Sequence, residues 1–325
     1  MAKTSELSSV RVTPAVLRRM PLPQPGAGGD KNERGRVLIV GGAREMPGAI
    51  ILAATAALRA GAGKLQVATA QSIAPFVALA LPEARVFGLP ETGAAGDLDP
   101  KRAADIIAER AEKNDAVLLG PGMVDENGAS TLALHLAAHL AKAGGETILV
   151  LDAAALSVFK GNSGILHGLN GRAVVTPHAG EAAQMLGRKK ERIAANSAET
   201  AQRAARNLRV VFALKGRETF IAGPGADDVL YRNEAGNVGL ATSGSGDTLA
   251  GIIAGLAARG ADPLQAAVWG VYLHAKAGDR MAERVGPLGF LARELLGEVP
   301  RLMGTLGRPE TPRDKASNKA SKTKK

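Results

Sequence analysis

The residues of this chain best placed to do chemistry lie in ATSGSGDTLAGIIAGLAA, Ala241 to Ala258, where a loop of small residues runs into one aspartate and then an apolar stretch. Gly244 and Gly246 can take backbone angles closed to other residues, so successive N–H groups can converge on an anion. Leu249, Ile252, Ile253 and Leu256 recur at i, i+3, i+4 and i+7, which predicts a helix beginning near Asp247 with its positive end on the loop. A carboxylate there can take a proton from a hydroxyl while N–H groups hold charge on a phosphoryl group in transfer. An aspartate ahead of an apolar helix can also simply cap it, and the segment alone leaves both readings open.

Other turns add polar groups. TPHAGE, Thr176–Glu181, gathers a hydroxyl, an imidazole and a carboxylate on a turn entering a helix, where His178 can donate to a substrate or phosphate oxygen. Glu181 reads equally as a first-turn helix residue. LKGRET, Leu214–Thr219, puts Lys215 at a strand end with Gly216 behind it, suited to close approach of a nucleotide, with Arg217 exposed. No G-x-x-x-x-G-K-[ST] occurs, which excludes a Walker P-loop, and RVLIVGGAREMPGA fails G-x-G-x-x-G, which leaves a Rossmann site unsupported. Gly48 and Ala49 give a helix a small first turn, open to a bulky ligand or to tight helix packing. Gly120-Pro121-Gly122 is a turn after a strand. His135, His139, His167 and His274 lack metal spacing and read as structural.

The elements that must position these groups alternate. Strands are predicted at 37–40, 64–69, 116–120, 147–152, 173–176 and 210–215, and helices at 49–60, 99–112, 129–143, 180–186, 194–207, 248–259, 263–283 and 290–303. TFIAG and VLYRN are spaced as an antiparallel hairpin. The pattern is α/β, a mostly parallel central sheet flanked by helices on both faces. Each strand run ends in a polar or glycine-rich turn: Gly41-Gly42, Gly120–Gly122, Asp152, Thr176–His178 and Lys215–Thr219. Such sheets bind ligands outside the carboxyl ends of their strands, so these turns are expected to share one rim with the TSGSGD loop.

Composition narrows the partners. The 325 residues are 46% hydrophobic but only 3% aromatic, and there is no cysteine, which removes disulfides, thiolate metal sites and cysteine nucleophiles. No signal core or membrane-length apolar run is present, so a cytoplasmic location is expected. Of the net charge of +10, residues 1–36 carry seven Lys/Arg against three Asp/Glu and residues 313–325 six against one, which leaves +1 for residues 37–312. A near-neutral body with basic ends argues against nucleic acid as a partner. The expected organisation is a Pro/Gly-rich lead-in at 1–33, one domain at 34–304 and a basic, disordered tail at 305–325.

In their order along the chain, GG…GAIILAATAALRAGAG, TPHAGE, LKGRET and GNVGLATSGSGDTLAGIIAG resemble the ribokinase-like superfamily and, within it, the ADP-dependent NAD(P)H-hydrate dehydratases, over most of residues 34–304. The resemblance implies a ribokinase-like fold and repair of hydration-damaged nicotinamide cofactor. In that chemistry ADP phosphorylates the ring hydroxyl of hydrated NADH or NADPH, phosphate is eliminated, and reduced cofactor and AMP remain. It implies that Asp247 is the base on the hydroxyl, with the Ser245 and Gly246 N–H groups on the phosphoryl in transfer. It places Ala49, Gly122, His178 and Asp247 on the hydrated cofactor, and Lys215, Gly216, Arg217, Glu218, Thr219 and Gly246 on the adenylate. Mg2+ bridging phosphates is expected, with no residue assigned as its direct ligand.

The match has departures. LDAAAL, Leu151–Leu156, keeps Asp152 but has Ala154 where the family usually carries a second aspartate, which lowers turnover if that carboxylate organises substrate or metal. Ser243 and Val238 replace a usual glycine and proline, both tolerably. The likeness further implies a homotetramer. Only a linker's length precedes the first predicted strand, so the epimerase that acts on the same damaged cofactor is expected as a separate protein. The alternatives are an ATP-dependent kinase of a small vitamin-precursor alcohol in the same superfamily, and a non-catalytic nucleotide-binding protein.

Overall fold

A parallel sheet buried on both faces needs strands that are apolar throughout, as VLIV, AVLL, ILVL, AVV and VFAL are. In a computed structural model, which describes residues 8–26, 31, 33–161, 164–225 and 229–306, these runs lie at the centre of one sheet. The strands in chain order are β1 Val10–Arg11, β2 Arg36–Val40, β3 Lys64–Ala70, β4 Ala84–Leu89, β5 Glu91–Thr92, β6 Asp97–Leu98, β7 Ala116–Leu119, β8 Ile148–Leu151, β9 Ala173–Val175, β10 Val211–Leu214, β11 Thr219–Ala222 and β12 Tyr231–Asn233. The helices are α1 Pro14–Arg19, α2 Pro47–Arg59, α3 Ala74–Ala80, α4 Pro100–Ala111, α5 Glu126–Ala143, α6 Ala179–Leu186, α7 Lys190–Ala195, α8 Ser197–Leu208, α9 Ser245–Ala258, α10 Pro263–Arg284, α11 Ala292–Leu295 and α12 Glu298–Leu306.

Among the described residues the main sheet has ten strands in the order β1-β12-β11-β10-β9-β8-β7-β2-β3-β4, with β5 and β6 paired apart from it. Pairing is parallel except where the β11 hairpin runs against β10 and β12, as its spacing predicts. The chain builds outward from β2 through β3 and β4, then returns to the other side of β2 with β7 and continues through β8 to β10. The direction of build reverses between β2 and β7, and the crevice outside the strand ends at such a reversal is where these sheets take ligands.

Helix α9 lies over β2, β7 and β8 and is packed between α2 and α10. It is buried from Thr248 to Ala258, so its small, apolar sequence reflects contact on all sides. A Cβ on Gly251 would overlap the Ala53 carbonyl oxygen, and one on Gly255 the Ala57 carbonyl oxygen. The α2 and α9 backbones therefore touch, which settles the purpose of the alanines after Gly48: they are a packing face as well as a helix entry.

Several boundaries differ from the sequence expectation. The segment read as a lead-in contains β1, which pairs with β12, and α1, whose Leu17 is fully buried. The Met20 carbonyl accepts from Trp269 Nε1 at 2.8 Å and from Gln265 Nε2 at 3.0 Å, so residues 10–20 are part of the domain. The expected helix at 290–303 is two helices, α11 and α12, separated at Leu296–Gly297. That at 194–207 is broken at Asn196 into α7 and α8. Helix α12 carries the domain through Leu306; the expected disordered tail otherwise lies outside the described residues.

Candidate active site

The carboxyl ends of β8, β9 and β10 bring Asp152, Thr176 and Lys215 together. Asp152 is buried, and its Oδ1 accepts from the Thr176 hydroxyl at 2.7 Å and from Lys215 Nζ at 3.1 Å. Lys215 Nζ also lies 3.9 Å from Glu181 Oε2. Pairing continues one step past the strands: the Lys215 N–H donates to the Pro177 carbonyl at 2.8 Å, and His178 stands opposite Lys215 in a parallel bridge. Burial works against the lysine's charge, but Asp152 and Glu181 more than offset it, and the Lys215 pKa is raised. An ammonium held charged in a half-buried cleft is suited to phosphate.

The TSGSGD loop closes over this group. Gly244 has a φ of +84°, a left-handed position that admits glycine, and it occupies the N-cap of α9 without any capping side chain. The helix begins at Ser245, and Asp247 sits inside its first turn. Gly244 therefore takes the N-cap position, and Asp247 lies within the first turn, where its carboxylate also accepts its own backbone N–H. The Cβ position of Gly246 is 3.6 Å from Lys215 Nζ and 3.7 Å from Asp152 Oδ2, so the loop faces the cluster. Burial first, and the Asp152 charge second, push the Asp247 pKa up from 3.8 to about 6, against the opposing pull of Lys215. The Ser245 N–H, expected on the phosphoryl, already donates to the Thr242 carbonyl at 3.2 Å.

At the reversal of strand order, the loops after β2 and β7 interlock, with the Gly42 N–H on the Pro121 carbonyl and the Ala43 N–H on the Gly122 carbonyl, both at 2.8 Å. Gly122 has a φ of +70°, and a Cβ there would stand 2.6 Å from the Met46 carbonyl oxygen and 3.1 Å from Ala49 Cβ. Gly122 and Ala49 are thus neighbours. The turn after Gly122 is pinned by buried Asp97, whose Oδ2 accepts the Val124 and Asp125 N–H groups, each at 2.6 Å. Asp97 has no motif around it, and sequence reasoning passed it over.

His178 is the N-cap of α6. Its Nδ1 accepts from the Gly180 and Glu181 N–H groups at 3.0 and 3.1 Å, while Glu181 Oε2 accepts the His178 N–H at 2.7 Å. This capping box makes Glu181 a first-turn helix residue, and leaves Nε2 as the nitrogen of His178 that can meet a ligand. His178 lines a cavity of about 400 Å³ with Met123, Ala154 and Lys160. Lys215, Gly216, Arg217 and Glu218 line a second, of about 1120 Å³, whose other walls include residues 194–199 and Ser8 and Ser9. Arg217 is exposed, Glu218 lies 3.7 Å from Arg232, and Thr219 opens β11. His274, read as structural, places Nε2 3.0 Å from Ser245 Oγ, beneath the loop. Among the described residues no three His, Asp or Glu side chains group closely enough to hold a metal ion.

A rim with an anion loop, a charged lysine and a carboxylate of raised pKa can carry phosphoryl transfer to an alcohol. The chain resembles proteins built for such chemistry. It is 49% identical to the ADP-dependent (S)-NAD(P)H-hydrate dehydratase of Xanthomonas campestris, over 91% of this chain and 97% of that protein. A ribokinase-like superfamily protein of Enterococcus faecalis superposes with a TM-score of 0.77 at 27% identity, covering 92% of this chain and 96% of that one. The ADP/ATP-dependent NAD(P)H-hydrate dehydratase of Bacillus subtilis, co-crystallised with ATP/Mg2+, gives a TM-score of 0.76 at 29% identity, over 93% and 100%. The sheet is thus ribokinase-like, and the model of the NAD(P)H-hydrate dehydratases matches residues 37–301, so this chain belongs to that family.

Proposed function

We propose that the protein is an ADP-dependent NAD(P)H-hydrate dehydratase, and that Asp247 is its base. The observation that carries this reading is the placement of Asp247: inside the first turn of a buried helix, beside the Asp152–Lys215 pair, with a pKa raised to about 6. A carboxylate with that affinity is mostly ionised at neutral pH and still a better base than an exposed one. Asp247 takes the proton of the ring hydroxyl as its oxygen attacks the β-phosphorus of ADP. The bond from phosphorus to the bridging oxygen breaks, and AMP leaves. The C–O bond of the new ester then breaks, phosphate leaves with that electron pair and takes up the proton that the neighbouring ring carbon gives up, and the C–H electrons restore the double bond.

Lys215 and the Gly246 N–H meet the transferring phosphoryl, a role that passes to Gly246 because Ser245 is engaged with Thr242. Gly216, Arg217, Glu218 and Thr219 hold the adenylate along the larger cavity, and Ala49, Gly122 and His178 Nε2 contact the hydrated cofactor. Among the described residues no group of acidic or imidazole side chains forms a protein cage for Mg2+, and no step is assigned to it. Phe76 and Leu79, 68% and 82% exposed on α3, support a homo-oligomer such as the expected tetramer. An epimerase would supply the reactive epimer, and a cytoplasmic location follows the substrate.

The test is direct. Purified protein is mixed with hydrated NADH or NADPH and either ADP or ATP, and reduced-nicotinamide absorbance and nucleotide products are followed. Recovery with ADP, with one AMP per cofactor restored, is expected. Recovery with neither donor refutes the reading, and phosphorylation of a different alcohol by ATP alone would favour the kinase alternative.

A further inference from the structure

We propose that His274 is a positioning residue that holds the anion loop in register for phosphoryl transfer, through its hydrogen bond to Ser245; this rests on the reaction proposed above. Ser245 and His274 are both buried, 4% and 8% exposed, and come from different helices, 29 residues apart. Ser245 is the first residue of α9, directly before Gly246 and two residues before Asp247, so whatever fixes its side chain fixes both.

The loop needs such an anchor. Gly244 at the N-cap has no side chain to tie the helix start, and no side-chain hydrogen bond caps it. Neighbouring helices brace the loop: Leu52 of α2 and Ala292 of α11 lie against Gly244, and Ser245 Oγ meets His274 Nε2 of α10 at 3.0 Å. Within the turn, the Thr248 hydroxyl and N–H both bond the Gly244 carbonyl at 3.0 Å. Burial first, and nearby Lys215 second, lower the His274 pKa from 6.5 to about 4, against a hydrogen bond to the backbone of Ser245. The imidazole is thus neutral at working pH and adds no second cation beside Lys215, leaving it a hydrogen-bonding strut.

The experiment compares His274→Leu, His274→Gln, Ser245→Ala and the double variant Ser245→Ala/His274→Leu. Glutamine reaches the Nε2 position and can hold the Ser245 hydroxyl, whereas leucine cannot. His274→Leu is expected to lower kcat about 10- to 100-fold, the cost of a shift on the order of an ångström at a reacting centre. AMP affinity, set mainly by Gly216–Thr219, should stay within about threefold. His274→Gln should recover most of the rate, Ser245→Ala should lose a comparable amount, and the double variant should be no worse than either single. Hydrogen exchange at residues 244–248 should rise in His274→Leu and return with His274→Gln.

Exchange is read without turnover, so it tests the strut even if the wild type restores no cofactor, a result that would sink the activity alone. Unchanged exchange in all variants, or a kcat loss that glutamine fails to rescue and that adds to the Ser245→Ala loss, overturns the proposal. If His274→Leu does not fold, His274→Gln and Ser245→Ala still decide it: near-wild-type rate and exchange in Gln with loss in Ala supports the strut, and any other combination refutes it.

Discussion

Replacing Asp247 by asparagine separates a base from a helix residue. The substitution keeps size and shape and removes the proton acceptor, so kcat should fall about 10²- to 10⁴-fold, which raises the barrier by about 3 to 5 kcal/mol. Stability should move the other way. Holding Asp247 ionised in the folded protein costs about 3 kcal/mol above pH 6, since its pKa rises from 3.8 to about 6 on folding. Between those values the folded state binds the proton more tightly than the unfolded chain, so stability falls as pH rises from about 4 to 6, and the loss is complete above that range.

Asparagine removes this cost and forfeits only about 0.3 to 1 kcal/mol of favourable interaction with the helix dipole. The variant should therefore melt at or above the wild-type temperature at pH 7, show no pH dependence from this site, and bind AMP normally while failing to turn over. Thermal melts across pH 4 to 8, calorimetry with AMP and cofactor-recovery kinetics measure each part. A variant that melts lower, by the roughly 0.5 to 2 kcal/mol of a lost cap, and keeps its rate per folded molecule would refute the reasoning.

Asp152→Asn should shift the acid limb of kcat/KM below pH 6, because Asp152 is one of the charges that raise the Asp247 pKa; a limb that stays or rises in a pH–rate profile contradicts the coupling. Gly251→Val forces side-chain volume into the Ala53 carbonyl and should cost about 1 to 3 kcal/mol or more in a urea melt, with activity lost as α2 and α9 part. Removing residues 1–22 strips β1, buried Leu17 and the acceptor of the Trp269 N–H, and should lower stability by at least about 2 kcal/mol; a truncated protein that melts like the full chain would restore the lead-in reading.

The central strands were legible because β2 and β7 to β10 are buried on both faces, which leaves an uninterrupted apolar run. Edge strands lack that signal: β4 mixes half-buried and exposed positions irregularly before buried Leu89, and β1 is two residues long. The site was readable as a set of strand-end turns, since the C-terminal rim is fixed by topology. Its internal wiring was not. Asp152 and Lys215 are 63 residues apart, and nothing local to either names the other. The start of α9 was displaced because Gly244 caps through backbone conformation, which no polar side chain announces. His274 was hidden by its setting, for on an apolar helical face a histidine that supports a loop has the same spacing as one that fills the core.

The glycine–alanine contact between α2 and α9 has a consequence for what this scaffold can become. Ala49 and Asp247 ride on the first turns of two helices whose main chains abut with no side-chain cushion between them. With the roles proposed for Ala49 and Asp247, the spacing between alcohol and base is set by a peptide-to-peptide distance, which substitution can enlarge but not trim. Divergence toward other alcohols has to proceed at the perimeter, in the turns around His178 and Lys215, while the span at the centre stays a fixed gauge inherited with the fold.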